Sequence, residues 1–73
     1  MFHETDIARN LKDKRKEMGI SQEKAAELCN VSIKTFGELE RGATNATAAT
    51  LKKVIPGMQM TWQELFADEQ HDS

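Results

Sequence analysis

Seventy-three residues make at most one domain, and a chain this short buries only roughly 60% of the surface its unfolded form exposes, which argues against a deep catalytic cleft. One cysteine, Cys29, excludes an intrachain disulfide and a cysteine-based zinc site and fits a reducing cytoplasm. The formal charge of −2 argues at first against nucleic acid, yet all ten Lys and Arg lie between Arg9 and Lys53. Six of the twelve acids (Glu4, Asp6, Glu64, Asp68, Glu69 and Asp72) lie toward the ends, which leaves residues 7–63 at +4.

No apolar run approaches the roughly 18 residues that span a bilayer, and the first residues lack the basic and apolar regions of a signal peptide. A cytoplasmic protein without membrane contact is the expectation. Hydrophobic periodicity is helical throughout, which predicts an all-α fold. Ile7, Leu11, Arg15 and Met18 share one face of a first helix, with Thr5 or Asp6 as its cap and Gly19 as its stop. Ser21 caps a second helix of about two turns, with Glu23 in its first turn, that runs to Cys29. Asn30 tolerates the left-handed backbone of a tight turn. Ser32 caps a third helix whose apolar stripe is Phe36 and Leu39, anchored by Val31 and ended by Gly42. Its other face carries Ile33, Lys34, Thr35, Gly37, Glu38 and Arg41. A polar connection through Thr44 and Thr47 leads to a fourth stripe, Ala48, Leu51, Val54 and Ile55, which Pro56-Gly57 should terminate. Thr61 and Glu64 then spell a capping box, with Met60 placed to staple onto Leu65. Residues 1–67 are read as the domain, and 68–73 as a disordered acidic tail with nothing to bury.

Two capped helices joined by a tight turn, with Ser21 and Ser32 eleven positions apart, are the local signature of a helix-turn-helix. Residues 20–42, with Ser21-Gln22, the small Ala26, Val31-Ser32 and Leu39-Glu40-Arg41-Gly42, resemble the phage-repressor and Cro-type (XRE) family, and the likeness extends over about 7–66. It implies a five-helix, lambda-repressor-like DNA-binding domain. It further implies that Ile33, Lys34 and Glu38 face base edges and that Gln22, Ser32, Thr35 and Arg41 contact the DNA backbone. The chemistry of the residues agrees: Lys donates to guanine, Glu accepts from cytosine, and Ile meets a thymine methyl. Without the motif, Lys34, Thr35 and Glu38 would read as an ordinary solvated face. Three departures are visible: Asn30 where the family usually has Gly, Ala25 where it usually has Leu, and no basic residues in the loop after Gly42. The second thins the core and the third weakens phosphate binding.

The remaining residues read as structural. Cys29, Met18, Met58 and Met60 suit the core, and His3 and His71 lack ligand spacing, so no metal or cofactor is expected. Arg15 and Glu40 fall on or beside apolar stripes, as their counterparts do in the family, and should pair. Trp62, Leu65 and Phe66 crowd one short element and suggest a dimer interface, with closure of the core as the competing reading. An enzyme is disfavoured, since no Tyr, no His between residues 4 and 70 and no glycine-rich phosphate loop is present. A single reading helix makes few base contacts, so a homodimer on palindromic double-stranded DNA, acting as a repressor of transcription, is the leading reading. Small members of the family also serve as antitoxins, so a protein toxin is the alternative partner.

Overall fold

The computed structural model describes residues 4–42 and 47–67. Among them are five helices and no strand: α1 (Glu4–Met18), α2 (Gln22–Cys29), α3 (Ile33–Glu40), α4 (Ala48–Gly57) and α5 (Trp62–Leu65). His3, Thr44, His71 and the acidic tail at 68–73 lie outside the described residues.

Local chemistry places most helix ends. Ser21, Ser32 and Thr47 each accept a hydrogen bond from the backbone N–H three residues on, at 3.0, 3.0 and 3.1 Å. At α5 the Thr61 hydroxyl accepts from Glu64 N while the Glu64 carboxylate accepts from Thr61 N, a complete capping box. Such caps contribute about 1 kcal/mol each, a large share of the stability of helices only two turns long. Three of the C-termini close by one device, a pair of nested bonds around a left-handed residue. Gly19 N–H and Ile20 N–H bond to the carbonyls of Lys16 and Arg15, Asn30 and Val31 to those of Glu27 and Ala26, and Gln59 and Met60 to those of Pro56 and Ile55. The central residues have φ of 71°, 59° and 58°.

One expected boundary is corrected: helix α1 already includes Thr5 and Asp6, so neither caps it. Pro56-Gly57 does end α4, as its last two residues, and the chain turns at Gln59. Pro56 is tolerated because it stands in the last turn, where it forfeits a single backbone bond and its own carbonyl is taken by Gln59 N–H. Gly57 has a different reason to be glycine: a β-carbon there would stand 2.7 Å from Cys29 Cα and 2.8 Å from Leu28 O. The end of α2 lies directly on the end of α4.

The helices pack as α1 on α3 and α5, and α2 on α3 and α4. Leu11, Ala25, Phe36, Val54, Met58 and Leu65 are fully buried, and Ile7, Ala26, Cys29, Leu39, Leu51, Ile55 and Met60 complete the core. Met18, Ile20, Val31 and Phe66 close its margin. Asn10 ties α5 to α1: its Nδ2 donates to the carbonyls of Leu65 and Ala67, both at 2.8 Å, which satisfies the C-terminal carbonyls of α5. None of the described helices is long and apolar enough to cross a membrane.

Candidate nucleic-acid interface

Helix α3 is held from below and open above. Phe36 and Leu39 fill the core, and Glu40 is buried beside them. The Glu40 carboxylate accepts from Arg15 Nε at 2.6 Å, from Arg15 Nη2 at 3.1 Å and from Gln22 Nε2 at 2.9 Å. Arg15 Nη1 donates in addition to Ile20 O at 3.0 Å. One buried carboxylate thereby ties α1, α2 and α3 together, and no buried side-chain polar atom among the described residues is left without a partner. The hydrogen bond from Arg15 to Glu40 raises the already high guanidinium pKa, so Arg15 stays charged.

The outward face carries the expected reading set. Ile33 is 51% exposed, Lys34 is exposed, and Glu38 is partly exposed one turn beyond Lys34. Ser32 Oγ does two jobs at the start of α3: it accepts from Thr35 N at 3.0 Å and donates to Thr35 Oγ1 at 2.8 Å. The Thr35 hydroxyl accepts in this bond and keeps its own proton to donate. At the other end of the helix, Arg41 is exposed and lies outside every ion pair among the described residues. Gln22, at the start of α2, is half-buried because its amide nitrogen serves Glu40. The structure thus brings Gln22, Ser32, Thr35, Lys34, Glu38 and Arg41 onto or around one helix, with mixed donors and acceptors and no metal-holding group of His, Cys, Asp and Glu among the described residues.

Trp62, Leu65 and Phe66 separate. Leu65 is fully buried against the core, so it offers no surface to a partner, and its expected place in an interface is corrected to the core. Trp62 is 44% exposed and stacks on Phe66 with ring centroids 5.9 Å apart and planes 22° from parallel. The tie from Gln22 to Glu40 was not anticipated, because it joins residues 18 positions apart and leaves no local pattern. The same holds for Asn10, a surface-type residue that proves to hold α5.

A short helix capped by Ser21, a reversal at Asn30 and an outward-facing helix capped by Ser32 define the helix-turn-helix class. The family model described as "Helix-turn-helix" matches residues 11–56, most of the chain, and the chain belongs to that family, of XRE type. It is similar to an HTH_3 family transcriptional regulator from Vibrio cholerae, at 38% identity and a TM-score of 0.82 over 92% of this chain; this chain spans 38% of that protein's length. It is also similar to the restriction-modification controller protein C.AhdI from Aeromonas hydrophila, at 27% identity and a TM-score of 0.80, covering 86% of this chain and 96% of that one. The clp gene regulator ClgR from C. glutamicum shares the fold at 22% identity and a TM-score of 0.79, over 86% of this chain and 81% of that one. No curated protein sequence matches the chain.

Proposed function

We propose that the protein is a transcriptional repressor that binds a palindromic DNA operator as a homodimer, each copy placing α3 in the major groove. The observation that carries this reading is the division of α3 into a face locked by Phe36, Leu39 and the Arg15–Glu40–Gln22 network and a face that presents Ile33, Lys34 and Glu38. A rigid helix with mixed donors, an acceptor and an apolar group outward suits base edges, while Ser32, Thr35, Gln22 and Arg41 suit phosphates. Similarity to proteins described as a transcriptional regulator and a restriction-modification controller supports the same class of activity. The exposed Trp62, stacked on Phe66, supports the homodimer.

Selection of bound duplexes from a random pool at fixed salt tests the reading, and the expected outcome is a sequence with two-fold symmetry. Lys34→Ala and Glu38→Ala should each relax preference at one base position per half-site, at a cost of about 1 to 3 kcal/mol on the selected operator, with little change on random DNA. An unaltered selected sequence in both variants would remove α3 as the reader and favour a protein partner, such as a toxin, instead.

A further inference from the structure

Gly37 sits in the middle of α3, where glycine is a poor helix former, and it is nevertheless buried. What covers it is polar. A β-carbon at Gly37 would stand 3.3 Å from Arg41 Nη1 and 3.8 Å from Gln22 Oε1, so the guanidinium of one and the amide oxygen of the other converge on one point of the helix surface. The orientation of the Gln22 amide is fixed by chemistry: the Glu40 carboxylate can only accept, so the amide turns its nitrogen to Glu40 and its oxygen toward Gly37. The result is a relay from the half-buried Arg15 through Glu40 and Gln22 to the rim of α3, where the exposed Arg41 brings Nη1 over Gly37.

We propose that Gly37 is a positioning residue for the DNA backbone, its missing side chain being the seat that holds the Arg41 guanidinium beside the Gln22 amide as a preformed phosphate contact. This rests on the reading of α3 as the DNA-binding helix. Guanidinium binds phosphate through a fixed fork, so holding the fork in place lessens the side-chain freedom lost on binding. A methyl group at position 37 meets two side-chain ends, Gln22 Oε1 in ordinary contact at 3.8 Å and Arg41 Nη1 at 3.3 Å, so the helix keeps its path and the guanidinium is nudged off the helix surface.

The test is a salt titration of binding to a labelled duplex of random sequence by the wild type, Gly37→Ala, Arg41→Ala and the double variant, with a thermal melt of each. Expected results are a dependence of log affinity on log salt reduced by about 0.9 per subunit in Arg41→Ala, and in Gly37→Ala, which keeps the charge, a smaller loss of affinity at fixed salt, with no loss in the double variant beyond that of Arg41→Ala. Gly37→Ala should melt no lower than the wild type, because alanine is the better helix former. That combination of weaker binding and undiminished stability is one a purely structural glycine would not give. A wild type that binds no DNA overturns the α3 reading together with this proposal. A wild-type affinity at every salt concentration in Gly37→Ala, alongside a reduced one in Arg41→Ala, overturns the proposal alone. So does a lowered melt in Gly37→Ala, an unaffected Arg41→Ala, or a further loss in the double variant.

Discussion

Arg15 of α1 closes a two-nitrogen ion pair on Glu40 of α3, and the partners are unequally covered, with 16% of the Arg15 side chain exposed and 1% of the Glu40 side chain. Removing the arginine strands a carboxylate that cannot reach water. Removing the glutamate frees an arginine that can swing outward. Arg15→Met should therefore cost about 3 to 5 kcal/mol, Glu40→Gln distinctly less, and Arg15→Met with Glu40→Gln less than the sum of the single changes. Urea unfolding of the four proteins in a double-mutant cycle measures this, and a coupling near zero would contradict it.

Gly57 and Gly37 make a contrasting pair. At Gly57 the added methyl would meet backbone, Cys29 Cα and Leu28 O, which no rotamer change relieves. Gly57→Ala should lower the stability by about 1 to 3 kcal/mol despite alanine's intrinsic gain of about 1 kcal/mol in a helix. The urea midpoint should fall while the slope with denaturant stays the same.

Burial pushes the Cys29 thiol up from 9.0 to about 11, and its Sγ–H donates to Val54 O at 3.6 Å. Below pH 9 both folded and unfolded chains keep the thiol protonated, and this site adds no pH dependence. Between pH 9 and about 11 the unfolded chain loses the proton first, so stability falls as the pH rises. The melting temperature of the wild type should drop across that window more steeply than that of Cys29→Ala. Alkylation of the thiol at neutral pH should proceed no faster than the chain opens.

Trp62 supplies the most exposed aromatic surface beside α5, and Phe66 stacks on it. In the homodimer proposed above, Trp62→Ala should raise the dimer dissociation constant at least about tenfold, or 1.4 kcal/mol, with the monomer fold intact. Sedimentation across a concentration series reads this directly, and an unchanged distribution removes Trp62 from the interface.

The parts of the fold that could be read from the sequence are those set within one helical turn. Ser21, Ser32 and Thr61 cap because a side-chain oxygen three residues before a free N–H is a local matter, and Asn30 reverses the chain through its own backbone preference. Pro56-Gly57 ends α4 as local punctuation, but the further reason for glycine at 57 is Cys29, 28 positions earlier in the chain, which no local pattern shows. Leu65 was grouped with Trp62 and Phe66 because a helix of four residues has too little length for periodicity to separate a buried face from an open one. In the candidate site, the exposure of Ile33 and Lys34 followed from the stripe of Phe36 and Leu39. The anchoring of Gln22 by Glu40 did not, since it exists only once α2 and α3 are packed.

The hold of Asn10 on Leu65 and Ala67 also bears on how the protein is made. Its hydrogen bonds span 55 and 57 positions, so α1 gains this neighbour only when α5 has been synthesised. Helices α1 to α4 can associate earlier, since α1 packs on α3, but until α5 is made Asn10 has no carbonyl to hold and the α5 side of α1 stays open. A growing chain paused before Trp62 should thus be open to proteases within α1, and release of the finished chain should abolish that sensitivity.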